Sequence, residues 1–212
     1  MELPRPQSRA EELANAITHG AGAVLGFAAL LTMSTRAIVG EEGGVTIAAA
    51  VVYGLSLVGL FGASATYHWV REPRLKRALQ TVDHCAIHLL IAGTYTPFAV
   101  VSLGGVWGWS LFAAVWSLAA LGLVLEIFVE ERWERVSVGL YLVMGWLGIL
   151  AAVPFIRVLS PWAIGLVLVG GLLYTAGTWF YARDRPWDHV VWHGFVLGGA
   201  GTHGLAVLGF VI

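Results

Sequence analysis

Charged residues are scarce in this chain of 212 residues. Only 12% of the residues are Asp, Glu, Lys or Arg, whereas 58% are hydrophobic, and the mean hydropathy is +0.79. Soluble domains have about a quarter charged and about half apolar residues. The composition therefore excludes an ordinary soluble domain and indicates a protein that crosses a membrane several times. The net charge of −1 gives no indication of nucleic-acid binding.

Cysteine and lysine each occur once. Because Cys85 is alone, no disulfide can form within the chain, and the sequence says nothing about the redox compartment. The single lysine, Lys76, lies between apolar stretches, which excludes a retinal protein with a lysine in its last span. A haem protein with two axial histidines, for example His84 and His203, remains an alternative.

Seven apolar stretches approach or exceed the ~20 residues that a helix needs to cross a bilayer. They cover about 16–39, 46–69, 80–102, 107–129, 136–156, 160–182 and 189–211. Little of the chain remains outside them, so we expect one all-α domain, 1–212, with seven transmembrane helices. Residues 1–15 lack the apolar core of a secretory signal and are expected to form a cytoplasmic segment, with room for a short interfacial helix.

The basic residues predict the orientation. Ten of the twelve lie before the first span or in the loops after the second, fourth and sixth spans; Arg36 and Arg157 are the exceptions. Loops rich in Lys and Arg stay in the cytoplasm. The N-terminus is therefore predicted to be cytoplasmic and the C-terminus to lie outside.

Five polar residues share one predicted depth, which is costly for polar groups in a membrane. Counted at 1.5 Å per residue from the inner loops, the histidines and the acid lie within about 10 Å of the cytoplasmic interface. The five are Ser64, His68, Asp83, His189 and His193.

A metal site explains this layer most economically. His189 and His193 are four residues apart on one helix face and can bind one ion. Zinc with three imidazoles keeps a fourth position for water, as catalytic zinc sites do. Asp83 would then hydrogen-bond that water or act as its base, and Ser64 would orient the water or a substrate oxygen. The pair His84 and His88 repeats the same spacing, so each histidine can also be read as a packing residue or an interfacial anchor.

At these residues the sequence resembles the bacterial hemolysin III proteins, which are related to the progestin and adiponectin receptor family and, more distantly, to alkaline ceramidases. The resemblance lies in ELANAITHG (12–20), SATYH (64–68), DH (83–84), IAGTYTP (91–97) and HVVWH (189–193). It implies seven helices in a bacterial cytoplasmic membrane and an inner-leaflet zinc ion held by His68, His189 and His193. It also implies that Ser64 and Asp83 stand beside the metal-bound water. His88 departs from the pattern, where an aromatic residue is expected.

Other polar residues have two readings. Glu12, Asn15 and His19 share a helix face and would either support the metal site or cap and hydrogen-bond at the interface. For His84 we expect a hydrogen bond between helices rather than a metal bond. His203 is about 15 Å along the helix from His193, too far for the same ion. Glu126 and Glu130 are expected to pair with Arg132 or Arg135, and Cys85 is a weak candidate ligand.

The function predicted first is that of a zinc-dependent hydrolase of lipid amides or esters, with membrane lipids as partners and a lipid or acyl substrate. The alternative is a membrane sensor or receptor in which zinc is structural. A cytolytic pore is a third hypothesis, although the polar residues gather at one end of the helices. The sequence makes no prediction about the oligomeric state.

Overall fold

The computed structural model describes residues 5–128, 134–183 and 185–212, and within them the fold is helical without strands. A π-helical turn, Pro97–Leu103, extends the third helix, and a 3-10 segment, Leu147–Ala151, joins the fifth helix to the sixth. The α-helices are α1 Arg9–Val39, α2 Gly44–Trp69, α3 Pro73–Thr96, α4 Gly105–Phe128, α5 Glu134–Trp146, α6 Ala152–Val158, α7 Pro161–Arg183 and α8 Asp188–Phe210.

Among the described residues, six helical segments are long and apolar enough to cross a membrane, with α5 and α6 forming parts of one segment. The seventh, α8, has 23 residues but contains three histidines, which lower its hydropathy. The prediction of an all-helical polytopic membrane protein is confirmed. The orientation and the single-domain organisation stay predictions.

The first helix begins earlier than the sequence suggested. Ser8 caps α1, because its hydroxyl accepts the backbone N–H of Glu11 at 3.3 Å while its own N–H donates to the Glu11 carboxylate at 2.9 Å. This reciprocal capping box satisfies two N–H groups at the helix start. Residues 9–15 therefore continue α1 and do not form a separate interfacial helix.

The third helix also begins early, at Pro73. The Glu72 carboxylate accepts the backbone N–H groups of Leu75 and Arg74, at 2.5 and 3.0 Å, and these hydrogen bonds lower the pKa of Glu72. The first seven residues of α3 are strongly polar, and hydropathy alone therefore placed its start at residue 80. Residues 129–133 and the side chain of Arg135 lie outside the described part, and with them the expected pairings of Glu130, Arg132 and Arg135.

Most helices pack against their neighbours in sequence, and the last helix packs against the first, so the helices form a ring. Neighbours in sequence contact each other from α1 to α4, α5 contacts α3, α4 and α7, and α7 packs on α8. Contacts between α8 and α1 complete the ring. This closure brings α2 and α8, which are far apart in sequence, to one side of the molecule.

Close contact between α1 and α2 depends on glycine. A Cβ atom on Gly54 would lie 2.7 Å from the Leu30 Cα, and one on Gly26 would lie 3.3 Å from the Leu57 carbonyl carbon. Small residues at such crossings let the backbones of membrane helices approach each other. The α1–α2 contact therefore has no room for a larger residue at these positions.

Gly54→Ala should lower the stability of the protein, because the new methyl group meets backbone atoms of α1 that cannot move alone. We expect a loss of about 1–3 kcal/mol, the usual cost of overpacking. Gly59→Ala on the same helix is the matched control, since nothing lies within 4 Å of its Cβ position. The melting temperature in detergent checks both variants, and equal melting temperatures would contradict the packing described.

Candidate metal centre

Three imidazoles from two helices meet at one end of the helical ring. His68 lies one residue before the end of α2, and His189 and His193 lie in the first two turns of α8. One ring nitrogen from each residue falls within 4.8 Å of the other two, and the ring centroids are 4.8 to 5.2 Å apart. The three histidines are therefore close enough to bind one metal ion.

Two ring nitrogens of these histidines are free to bind such an ion. Nε2 of His68 and Nδ1 of His193 are buried, and neither has a hydrogen-bond partner among the described residues. An unpaired buried nitrogen costs about 1–3 kcal/mol, which a metal bond would recover. The residues present therefore fit a metal ion of the kind that imidazole binds, zinc among them.

A carboxylate fixes the ring of His68. Nδ1 of His68 lies 2.7 Å from Oε2 of Glu12, so Nε2 is the nitrogen that faces the other histidines. Nζ of Lys76 lies 2.9 Å from Oε1 of Glu12 and also donates to the Tyr67 carbonyl at 3.0 Å. This contact joins α1, α2 and α3, and a carboxylate behind a ligand imidazole raises its basicity.

His193 is held from the α1 side. The ring of His19 stacks on it with centroids 3.5 Å apart and an angle of 5° between the planes. The His193 ring also faces the backbone carbonyl of Asn15, whose side-chain amide donates to Gln7 at 2.7 Å. Glu12, Asn15 and His19 thus all lie on the face of α1 that contacts the histidine cluster.

The start of α8 is fixed by two carboxylates. The backbone N–H of Trp187 donates to Oε1 of Glu11 at 2.7 Å, and Glu11 also binds Arg5. Trp187 has the left-handed φ of 68°, which turns the chain into α8. Asp188 accepts two hydrogen bonds from Arg183, at 2.7 and 2.5 Å. Together these contacts position the first turn of α8, and with it His189.

Asp83 and Ser64 lie together beside this cluster. Asp83 is 8% exposed and Ser64 is buried. The Ser64 hydroxyl lies next to the Asp83 carboxylate, although its oxygen makes no hydrogen bond of ordinary geometry among the described residues. A carboxylate and a hydroxyl are therefore available on α3 and α2 near the three imidazoles.

A cavity connects these groups. It has a volume of about 130 Å³ for the centres of water-sized molecules. Its polar wall includes Ser64, Asp83, His189 and His193, and its apolar wall includes Leu60, Ile87, Leu90, Ile91, Leu142 and Val196. The cavity also reaches His203, which lies about 21 Å of helix from His189 at 1.5 Å per residue. The histidines therefore lie at one end of a long, mainly apolar cavity.

The remaining candidates lie elsewhere. Nε2 of His203 contacts the Val167 carbonyl at 3.0 Å, and Nδ1 of His84 lies 3.4 Å from Glu126. Among the described residues, the group that can share one ion contains neither of these histidines and no cysteine. Glu126 was expected to pair with Arg132 or Arg135, whose side chains lie outside the described part; among the described residues its carboxylate lies between α3 and α5, where Tyr141 donates to it at 3.0 Å.

Glu11 and Lys76 support the site, although no sequence pattern predicts that role for either residue. For Glu11 the pattern Ser8-x-x-Glu11 was visible as a capping box. Its second role, as acceptor for Trp187, joins residues 176 positions apart and has no local sequence pattern. Lys76 was counted only as a residue of the inner loop.

The fold and these residues define a polytopic helical membrane protein with a largely buried three-histidine cluster. A model of the family described as "Haemolysin-III related" matches residues 7–204. The chain is 40% identical to "Hemolysin-3" of Bacillus cereus, over 95% of this chain and 92% of that protein. It is also 40% identical to the "Hemolysin-3 homolog" of Bacillus subtilis (strain 168), over 95% of both chains.

A more distant relative is the human "Monocyte to macrophage differentiation factor". It is 28% identical over 74% of this chain and 67% of that protein. The chain belongs to the haemolysin-III related family, and the family resemblance seen in the sequence is confirmed.

A zinc ion added to the purified protein should bind at the three histidines more weakly in Glu12→Gln, because the amide cannot polarise the His68 ring as the carboxylate does. We expect an affinity about 10- to 100-fold lower, as for other groups that support a ligand histidine. Competition with a zinc chelator measures the affinity, and metal content should fall to background in His68→Ala, His189→Ala and His193→Ala. Glu72→Gln, in the α3 cap, is the control and should bind zinc like the unaltered protein. A Glu12→Gln variant that binds zinc as tightly would show that this contact does not support the site.

Proposed function

We propose that this protein is a zinc-dependent hydrolase that cleaves an amide or ester bond of a membrane lipid. One observation carries the proposal: two residues of the three-histidine cluster, His189 and His193, share with Asp83 and Ser64 a cavity whose remaining wall is mainly apolar. A purely structural metal would not need a carboxylate, a hydroxyl and a cavity beside it.

Zinc is the metal that fits the chemistry of this site. Three neutral imidazoles are a ligand set known from catalytic zinc, which keeps a fourth position open. His68, His189 and His193 would hold the ion, with Glu12 behind His68. When bound, zinc polarises a carbonyl group and lowers the pKa of its water toward about 7.

Asp83 and Ser64 would have different roles in the hydrolysis. Asp83 would accept the proton of the attacking water, because its carboxylate lies in the same cavity wall as His189 and His193. Ser64 would donate a hydrogen bond to the substrate carbonyl oxygen, since its hydroxyl has no ordinary hydrogen bond among the described residues. Burial keeps bulk water from competing with both contacts.

The substrate class follows from the shape of the site. The cavity runs beside α8 over about two thirds of the ~30 Å hydrocarbon core, so its apolar part suits an acyl chain. The predicted orientation places the histidines at the inner leaflet of a bacterial cytoplasmic membrane. Membrane lipids are then both the solvent of the protein and the source of its substrate.

Purified protein with zinc should release fatty acid from ceramide or from phospholipid vesicles. Asp83→Ala should lower the rate by about 10²- to 10⁴-fold, the usual contribution of a general base, while zinc stays bound. Glu42→Gln, at an exposed site in the α1–α2 loop, should leave the rate unchanged. Fatty-acid release is measured by mass spectrometry.

Absence of release from every lipid class tested, with stoichiometric zinc present, would contradict the hydrolase. A sensor or receptor with structural zinc predicts a different pattern: His189→Ala lowers the melting temperature, and Asp83→Ala changes neither stability nor lipid composition. A cytolytic function, which the names of the two Bacillus relatives suggest for those proteins, predicts liposome leakage that survives loss of the metal ligands.

A further inference from the structure

A second group of buried and partly buried polar side chains lies where α3, α4 and α5 meet. We call it the Glu126 cluster; it consists of Glu126, His84, His88 and Tyr141. The Glu126 carboxylate lies 3.4 Å from Nδ1 of His84, 3.6 Å from Nε2 of His88 and 3.0 Å from the Tyr141 hydroxyl. Ser137 also lies beside the carboxylate. The carboxylate is thus surrounded by groups that can hold or share a proton.

The Glu126 carboxylate lies largely out of contact with water, so it needs a positive partner within the protein. The side chain of Glu126 is 10% exposed and that of His88 is fully buried. Taking a carboxylate out of water without a positive partner costs several kcal/mol. Among the described residues, the partners of Glu126 within ion-pair distance are the two imidazoles, which become positive only by binding a proton. A proton on His84 would therefore give the Glu126 carboxylate a positive partner at 3.4 Å.

The cluster and the candidate metal centre share a wall. His84 and Tyr141 line the same cavity as Ser64, Asp83, His189 and His193, whereas Glu126 and His88 lie behind them. His84 follows Asp83 directly on α3. The order from the cavity outward is therefore an imidazole first and its carboxylate second.

An imidazole at the cavity with a carboxylate behind it is an arrangement that suits a proton donor. A carboxylate behind an imidazole fixes the orientation of the ring and stabilises its charged form. Distances of 3.4 Å are longer than a tight hydrogen bond, and such contacts often shorten only when substrate is bound. Among the described residues, the titratable groups near His84 include Asp83 on its own helix, Glu126 on α4 and His189 on α8, and the Tyr141 hydroxyl on α5 lies 3.4 Å from the His84 backbone carbonyl.

We infer that His84, charged and held by Glu126, donates the proton that the leaving group needs in the lipid hydrolysis proposed above, and the inference rests on that function. In the step, the water oxygen bonds to the carbonyl carbon while Asp83 takes a proton from the water. The bond from carbon to the amine nitrogen, or to the alcohol oxygen, then breaks, and the leaving atom takes the proton of His84. A fatty acid and an amine or alcohol result, and the proton on Asp83 passes back to neutral His84.

A simpler role for the cluster would be to hold the helices together. Polar contacts between membrane helices do stabilise packing. The same two helices offer a control for that role, because Nε1 of Trp116 on α4 donates to the Thr96 hydroxyl on α3 at 3.1 Å. Trp116 does not line the cavity. Trp116→Phe therefore removes a polar contact between α3 and α4 without touching the proposed proton donor.

The test compares two substrates with one acyl chain in the full-length protein with zinc. N-Palmitoyl sphingosine has a leaving amine that needs a proton, whereas 4-nitrophenyl palmitate has a leaving group that is stable without one. His84→Gln and Glu126→Gln should lower the rate on the amide by about 100-fold or more, the usual contribution of a general acid. The rate on the nitrophenyl ester should fall less than about threefold, because no general acid is needed there. Trp116→Phe should change neither rate.

A second measurement does not depend on activity. The ¹⁵N signals of His84 in metal-free protein should show a doubly protonated ring at neutral pH, and Glu126→Gln should convert it to a neutral ring. Equal loss on both substrates, no loss on either, or a neutral His84 in the unaltered protein would each overturn the inference. If the unaltered protein cleaves neither substrate nor any other lipid, the proposed function fails and this inference with it. Activity without the difference between substrates removes the inference alone.

Discussion

The hydrogen bond from the Trp187 backbone to Glu11 joins the N-terminal end of α8 to that of α1, and the histidine cluster depends on this junction. At 2.7 Å it places a buried carboxylate against a chain turn with a positive φ, and Arg183 holds the next residue, Asp188, through two further hydrogen bonds. A buried carboxylate without such donors would cost several kcal/mol. The first turn of α8 is therefore held in one position, and His189 and His193 face His68 as a result.

The low dielectric of the membrane interior explains why polar groups occur as clusters. Each buried polar side chain needs a partner, and within a bundle the partner comes from another helix. Glu12 of α1 meets His68 of α2 and Lys76 of α3, while Glu126 of α4 meets His84 and His88 of α3 and Tyr141 of α5. His84 and Tyr141 of the second cluster line the same cavity as His189 and His193, so the contacts that satisfy buried polar groups also bring proton donors and acceptors to one space.

Much of the fold could be predicted from the sequence because the bilayer imposes a simple rule. Long apolar runs must be helices, since the backbone has no other partner in hydrocarbon. The rule failed at the helix ends. The predicted starts at residues 16 and 80 were late, because α1 and α3 begin with polar turns stabilised by Ser8 and Glu72. Capping depends on a few hydrogen bonds rather than on hydropathy, so hydropathy does not detect it.

Sequence spacing alone could not predict which histidines lie together. His84 and His88 have the same spacing as His189 and His193, and helix periodicity puts each pair on one face. The family resemblance chose between the pairs; the spacing did not. In the structure the pair on α8 faces a third imidazole, whereas the pair on α3 faces the carboxylate of Glu126.

The sequence by itself determined the helices, their polar residues and the face of its helix on which each residue lies, because these follow from composition and the 3.6-residue repeat. Only the tertiary structure decided which faces meet. That choice depends on the rotation of each helix about its axis, which is set by contacts between distant residues such as Gly54 with Leu30 and Trp187 with Glu11. No local pattern encodes such pairs, and so the division of the histidines between two clusters appears only in the folded chain.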